Sequence, residues 1–313
     1  MEILHKDVFP WQTPVITEGH AFACLNSNPI KSDIRYLAVP WAPVIDNLNF
    51  GNAKNKNISE EFIKDLKRLD LSDKETFTIC QSYRYREITQ ILKRIGVSTV
   101  FAPHAVDNEP IHNGVKVEPF PLYPVNVPTP AKKDIWYSFI GCHAKSYISN
   151  IRLKIFKDSH PSNSVVVQRQ KWRFNNTVYG EQLKGIKTNP MQEYIADEQT
   201  IFYNEIVARS RFSLCPSGAG PSSIRFFESL GAGAIPIFLS DNWSLPKIKS
   251  LDWDDCCIKI KESEYSTLRD VLKSITPDKE NFLRENCFKA FNDISKNNFV
   301  KCIRNYYNNY ERK

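Results

Sequence analysis

The sequence contains no run approaching the roughly 18–20 uninterrupted apolar residues that a membrane-spanning helix requires. Its opening, MEILHKDVFPWQTP, lacks the basic-then-apolar layout of a secretory signal, so the mature chain is expected to begin at Met1. Its cysteines, at positions 24, 80, 142, 215, 256, 257, 287 and 302, never fall in C-x-x-C ligand spacing, and several sit in apolar runs such as FTIC and FSLC. They read as reduced core residues of a cytosolic protein, with no metal centre expected. The Lys-Ser/Thr ending of an ATP-cradling loop is missing, as is a G-x-G-x-x-G run after the first strand, which argues against a kinase, an ATPase or a dinucleotide enzyme. No fixed short repeat and no low-complexity tract is present.

What remains is the composition of a folded globular protein, with 42% hydrophobic and 25% charged residues over 313 positions, enough for two domains of ordinary size. The formal charge of +7 suits a partner carrying phosphates or an anionic surface, whether nucleotide, lipid head group or acidic polysaccharide. Between Arg284 and Lys313 seven basic residues face three acidic ones, interleaved with Phe288, Phe291, Ile303, Tyr306, Tyr307 and Tyr310. Such a segment suits packing onto the body with a solvated basic face, and secondarily a peripheral contact with an anionic membrane.

Along the first third, 34–45 and 76–80 read as short buried strands, followed by 98–103. They alternate with helices over Ile58–Leu69 and Tyr85–Ile95, the second stopped by Gly96. Strand, helix, strand with short joints predicts a parallel sheet covered by helices. The proline-rich stretch 115–133 reads as an interdomain linker, because proline lacks the donor that a central strand needs. After it the alternation resumes, with strands at 136–141, 164–168, 211–216, 234–239 and 256–260. Helices are expected near 148–157 and 199–209, and over Ser222–Leu230 and Tyr265–Ile275. The expected division is therefore 1–130, 131–281 and a C-terminal helical segment 282–313 that packs back on the first domain, each of the first two being Rossmann-like.

Chemistry concentrates in 209–246, RSRFSLCPSGAGPSSIRFFESLGAGAIPIFLSDNWSLP, where a buried strand runs through Pro216 into a glycine-bearing loop that opens a helix. Gly218 and Gly220 are expected to adopt positive φ and admit a ligand close to the backbone. Ser222 and Ser223 are placed to cap the helix, whose free N–H groups and dipole favour an anion. Arg225 adds a forked cation suited to a diphosphate, and Glu228, on the same helix face, suits ribose hydroxyls. The plainer alternative is a βαβ corner in which Arg225 and Glu228 form a surface pair and nothing binds.

The run from Arg211 to Pro246 resembles the signature region of exostosin-type glycosyltransferases. The likeness is carried by Cys215-Pro216, the G-x-G-P-S-S loop, Arg225, Glu228 in F-F-E-S-L, the G-A-G-A-I-P-I turn, and Ser240-Asp241 before Trp243 and Pro246. YSFIG with Arg152 downstream, and YLAVPWAP, extend the resemblance more loosely. It implies an α/β fold of the GT-B kind, two Rossmann-like domains with parallel sheets facing across a cleft, and metal-independent inverting transfer from a nucleotide sugar, commonly a UDP-sugar, with no further cofactor. The donor would lie against Gly141, Arg152, Arg169, Pro216, Gly218, Gly220, Ser222, Ser223, Arg225 and Glu228. The location and polymerising role of animal and plant relatives do not carry over to this shorter chain; the expected cytosolic location and basic charge instead suit a glycan or lipid-linked glycan acceptor, in assembly of a surface polysaccharide at the inner face of the membrane.

Transfer also needs a base for the acceptor hydroxyl and stabilisation of the departing diphosphate. By fold logic the base sits on a loop at the carboxyl end of a first-domain strand, which selects Asp46 and His104, then Glu18 or His20 in the early TEGHA turn. His143 suits a contact with phosphate or sugar, and Arg169, Lys171 and Arg173 form a basic run after 164–168. Rival readings are a non-catalytic nucleotide or sugar binder of the same fold, and a basic membrane or nucleic-acid binding protein. No nucleic-acid module is recognisable.

Overall fold

The computed structural model describes residues 1–172, 178 and 197–308, and the element labels below cover those residues. Arg173 and Tyr310, named above, lie outside them. The first half builds a six-stranded sheet from β1 (Glu2–His5), β2 (Arg35–Ala38), β3 (Thr76–Ile79), β4 (Val97–Ala102), β5 (Ile111–His112) and β6 (Val115–Pro119), in the order β1-β2-β3-β4-β6-β5. Every pairing is parallel except the short β5–β6 hairpin. The second half builds a parallel five-stranded sheet from β7 (Ile135–Gly141), β8 (Val165–Gln168), β9 (Ser210–Pro216), β10 (Ile235–Leu239) and β11 (Ile258–Lys259), ordered β11-β10-β9-β7-β8. Two Rossmann-like sheets facing one another across a cleft make this a GT-B fold.

Helices connect the strands: α1 (Thr17–Ser27), α2 (Trp41–Phe50), α3 (Ala53–Leu66) and α4 (Thr89–Arg94) in the first half. The second has α5 (Ile151–Lys157), α6 (Glu198–Arg209), α7 (Ile224–Gly231), α8 (Leu268–Ser274), α9 (Pro277–Ile294) and α10 (Lys301–Asn308). None of the described helices is long and apolar enough to cross a membrane. All eight cysteines are free and buried.

Several elements differ from the sequence reading. The apolar run 34–45 is a strand only to Ala38. Pro40 and Pro43 then begin helix α2, where the missing N–H of a proline costs nothing in the first turn. The TEGHA stretch is the start of α1, not a turn. The linker is shorter than read, because Val115 and Val117 are buried and Lys116 exposed in strand β6, and the prolines begin only at its last residue. Tyr85–Ile88 and Glu262–Thr267 are 3-10 turns ahead of α4 and α8, and Cys256 and Cys257 follow another such turn and precede β11.

Two seams join the halves. On one flank, Val106 and Trp243 form an antiparallel bridge, Ser244 N–H donates to the Ala105 carbonyl at 3.0 Å, and Trp243 Nε1–H donates to the Pro103 carbonyl at 2.9 Å. Behind the sheets, α10 lays Tyr307 against Phe77, with ring centroids 5.3 Å apart, and Tyr306 against Phe101 at 5.6 Å. Removing the buried Tyr307 ring (Tyr307→Ala) is expected to cost about 3 kcal/mol, the usual scale for truncating a large core aromatic. A thermal melt with unchanged Tm would show that α10 does not brace the first sheet.

Candidate active site

The second sheet reverses direction of strand addition between β7 and β9: β8 lies to one side of β7, while β9, β10 and β11 extend to the other. In open α/β sheets a crevice opens past the carboxyl ends of the strands at such a switch point. Gly141 ends β7 and Pro216 ends β9, and a cavity of about 480 Å³ lies there, within the range of small-molecule sites. Its walls come from both halves.

The floor is cationic. Arg225 projects from the first turn of α7, only 9% exposed, and donates to the Ile140 carbonyl; its guanidinium lies 4.7 Å from the Phe139 ring centroid, and its buried Nε has no partner. Arg152, from α5, donates to the carbonyls of Ser217 at 2.7 Å, Cys142 at 3.1 Å and Pro216 at 3.3 Å, with its guanidinium over Tyr147. Burial and the neighbouring Arg225 charge lower Arg152 to about 10, so it remains protonated at neutral pH. Two buried cations whose partners are carbonyls and ring faces give this floor a positive potential that favours an anionic group.

The glycine loop crosses this floor, and its glycines are used for closeness. Neither Gly218 nor Gly220 has positive φ, contrary to expectation. A Cβ on Gly218 would come within 2.7 Å of Arg152 Nη2, and one on Gly220 within 2.4 Å of His104 Nδ1. Helix α7 starts at Ile224 with Ser223 as N-cap, and no side chain caps it. The serines therefore leave the helix amides uncapped: Ser222 keeps a buried hydroxyl without a partner, and both serines line the cavity. Glu228, fully buried, accepts from Tyr203 Oη–H at 2.7 Å at the cavity wall, so Arg225 and Glu228 are not a surface pair.

From the first half come Asp46 and His104. Asp46 sits on α2 and not on a loop, because the chain turns helical at Pro40, yet it still reaches the cavity. Gln12 donates to it at 2.9 Å, and burial raises its carboxyl to about 6. His104 Nδ1 accepts from the Ser222 N–H at 3.4 Å across the cleft, while burial, reinforced by Arg86, lowers it to about 3 and keeps it neutral. Glu18 stands behind the wall. Its carboxylate accepts from the N–H groups of Gln81 (2.8 Å) and Ala42 (3.2 Å), and burial pushes it to about 8. Gln81 in turn donates to Gln12 at 2.7 Å, so a chain of hydrogen bonds connects Glu18 to Asp46.

Of the remaining candidates, Arg169, Lys171, His143 and Gly141 line the cavity, and Arg169 donates to the Gln199 carbonyl at 2.6 Å. Pro216 does not line it and contributes only its carbonyl to Arg152. His20 is elsewhere, stacked on Tyr123 with its Nε2 3.0 Å from the Lys296 carbonyl oxygen. Gln12, Gln81, Ser82, Tyr83, Tyr147 and Tyr203 line the cavity without having been singled out from sequence. Gln81–Tyr83 follow β3 after Cys80 alone, so the strand-end rule applied to that strand points to them.

The tight approach at Gly220 yields a test. Gly220→Ala is expected to destabilise by roughly 1–3 kcal/mol through overpacking. In a double-mutant cycle with His104→Ala the combined cost should fall below the sum of the single costs. Strict additivity in denaturant melts would show that the two residues do not press on each other.

Residues 110–275, more than half of the chain, match the Exostosin GT47 domain family. Among curated relatives, an Exostosin-1 homolog of Caenorhabditis elegans is 33% identical over 89 residues, covering 28% of this chain and 23% of its own length. A probable glucuronoxylan glucuronosyltransferase of Arabidopsis thaliana is 24% identical over 204 residues, covering 63% of this chain and 39% of its own length. The chain thus aligns with well under half of these relatives. Among solved structures, HepE from Anabaena in complex with UDP and glucose superposes with a TM-score of 0.46 at 9% identity, covering 94% of this chain and 81% of that one. On the strength of the profile match, the chain belongs to the Exostosin GT47 domain family of glycosyltransferases.

Proposed function

We propose that this protein is an inverting glycosyltransferase that takes a sugar from a nucleoside-diphosphate donor, UDP-sugar being favoured, and passes it to a hydroxyl of a glycan or lipid-linked glycan during polysaccharide assembly. The observation that carries this reading is the pair Arg152 and Arg225, buried beside the amides of the Gly218–Ser223 loop at the switch point of the second sheet. A diphosphate there receives two forked cations and the positive end of α7. Glu228, held by Tyr203, is set to take the ribose hydroxyls.

Asp46 is our choice of base over His104. A carboxyl near 6 is mostly ionised at neutral pH yet basic enough to accept a proton as the acceptor oxygen attacks, whereas a histidine held near 3, with Nδ1 already accepting from Ser222, is a poor acceptor. In the step, the acceptor oxygen forms a bond to the anomeric carbon, the bond from that carbon to the diphosphate oxygen breaks, and the hydroxyl proton passes to Asp46. The charge left on the diphosphate is met by Arg152 and Arg225. Peripheral contact with an anionic membrane through the basic C-terminal segment is compatible with this role.

UDP is expected to raise the melting temperature of the wild-type protein, with the rise lost in Arg225→Gln and reduced in Glu228→Ala. No shift with any nucleotide would remove the donor-site reading. Asp46→Asn is expected to lower kcat by roughly 10²- to 10⁴-fold while UDP still binds. Because the base works ionised, wild-type kcat/KM should climb with pH through about 6, the value to which burial raises Asp46. A flat profile there with an active Asp46→Asn would place the base elsewhere.

A further inference from the structure

His143 follows β7 by two residues, on the loop that packs over the glycine loop through the Ile148 N–H donating to the Gly218 carbonyl at 3.0 Å. It lines the cavity, its ring edge-to-face with Tyr147 at 5.5 Å between centroids. The two ring nitrogens have different surroundings. Nδ1 is closed off from solvent and has no hydrogen-bond partner. A buried N–H without an acceptor is costly, whereas a lone pair left unpaired on a ring nitrogen is the lesser penalty. The ring's proton therefore belongs on Nε2, the nitrogen not enclosed by protein.

Its charge state follows from its surroundings. Burial and the adjacent Arg152 cation both lower its pKa, which holds the ring neutral in the ligand-free protein. With its proton on Nε2 the ring offers a hydrogen-bond donor there and not a base. His143, Arg152 and Arg225 line the same cavity, which already holds two positive charges. An imidazole N–H at that spot adds a directed hydrogen bond without adding a third repelling charge.

We propose that His143 is a donor-binding residue whose Nε2–H hydrogen-bonds an oxygen of the nucleotide diphosphate beside Arg152. The inference rests on the diphosphate site argued above and adds a third, neutral ligand to it. Transition-state charge grows on those same oxygens as the sugar departs, so the bond strengthens during transfer.

The test measures affinity by calorimetry for two probes, UDP and inorganic pyrophosphate, in wild type, His143→Ala and His143→Gln. Gln is chosen because its side-chain N–H₂ reaches where Nε2 lies. His143→Ala is expected to weaken both probes by about 10-fold, the scale of a hydrogen bond to a charged group, and His143→Gln to recover most of the loss. Unchanged affinities in His143→Ala, with wild type binding UDP, overturn the His143 assignment and leave the diphosphate site standing. A loss for UDP without a loss for pyrophosphate moves the contact to the nucleoside and also overturns it. Failure of wild type to bind UDP at all sinks the site and this inference together. Circular dichroism melts of both variants exclude misfolding as the cause of a loss.

Discussion

Everything in the cleft is organised around the burial of two guanidinium groups that repel each other. Arg152 and Arg225 are kept in place by main-chain carbonyls at the ends of β7 and β9 and by the faces of Phe139 and Tyr147. Desolvating a cation is tolerable only when something of opposite charge completes the set. The fold therefore concentrates positive charge where the second sheet changes its direction of strand addition, which is the physical ground for the diphosphate site proposed above. The shape of the loop above it follows from the same requirement. With a side chain at 218 or 220, either Arg152 or His104 would have to move.

The first half answers with a polar chain of a different character. Glu18, Gln81, Gln12 and Asp46 are linked by short hydrogen bonds, and burial raises both carboxyls, so the acidic end of the chain facing the cavity is held near neutrality. The two walls thus differ in character, a cationic floor facing a carboxyl whose proton affinity burial has raised, the kind of contrast by which one site can hold groups of opposite acid–base behaviour. The GT47 match begins at residue 110 and so takes in Arg152 and Arg225 but none of Gln12, Glu18, Asp46 and Gln81.

That asymmetry also describes what the sequence could say. The glycine loop, Arg225 and Glu228 are contiguous, and a strand-loop-helix pattern with a family resemblance is readable in one dimension. Asp46 was legible only as a candidate after an apolar run, because Pro40 and Pro43 in IRYLAVPWAPVI fit a strand end and a helix start equally well. The polar chain joining Glu18 to Asp46 was not legible. Its members are tens of residues apart, and nothing in a lone glutamine announces a partner. The true start of the linker is hidden for a related reason: prolines from 119 onward mask the alternation of Val115, Lys116 and Val117 just before them. Alternation of strands and helices was otherwise enough to place the α/β class, since most of the short apolar runs contain a parallel strand, even where, as at 34–45 and 256–260, only part of the run is extended.

The bridge between Val106 and Trp243 has a mechanical meaning. Main-chain bonds and an indole donor tie the two halves together there, so any relative movement of the sheets must either keep this edge in place or break those bonds. The 142–148 loop is tied down in the same way, by the Ile148 N–H bonded to the Gly218 carbonyl, so main-chain hydrogen bonds help to fix both this edge and the border of the glycine loop.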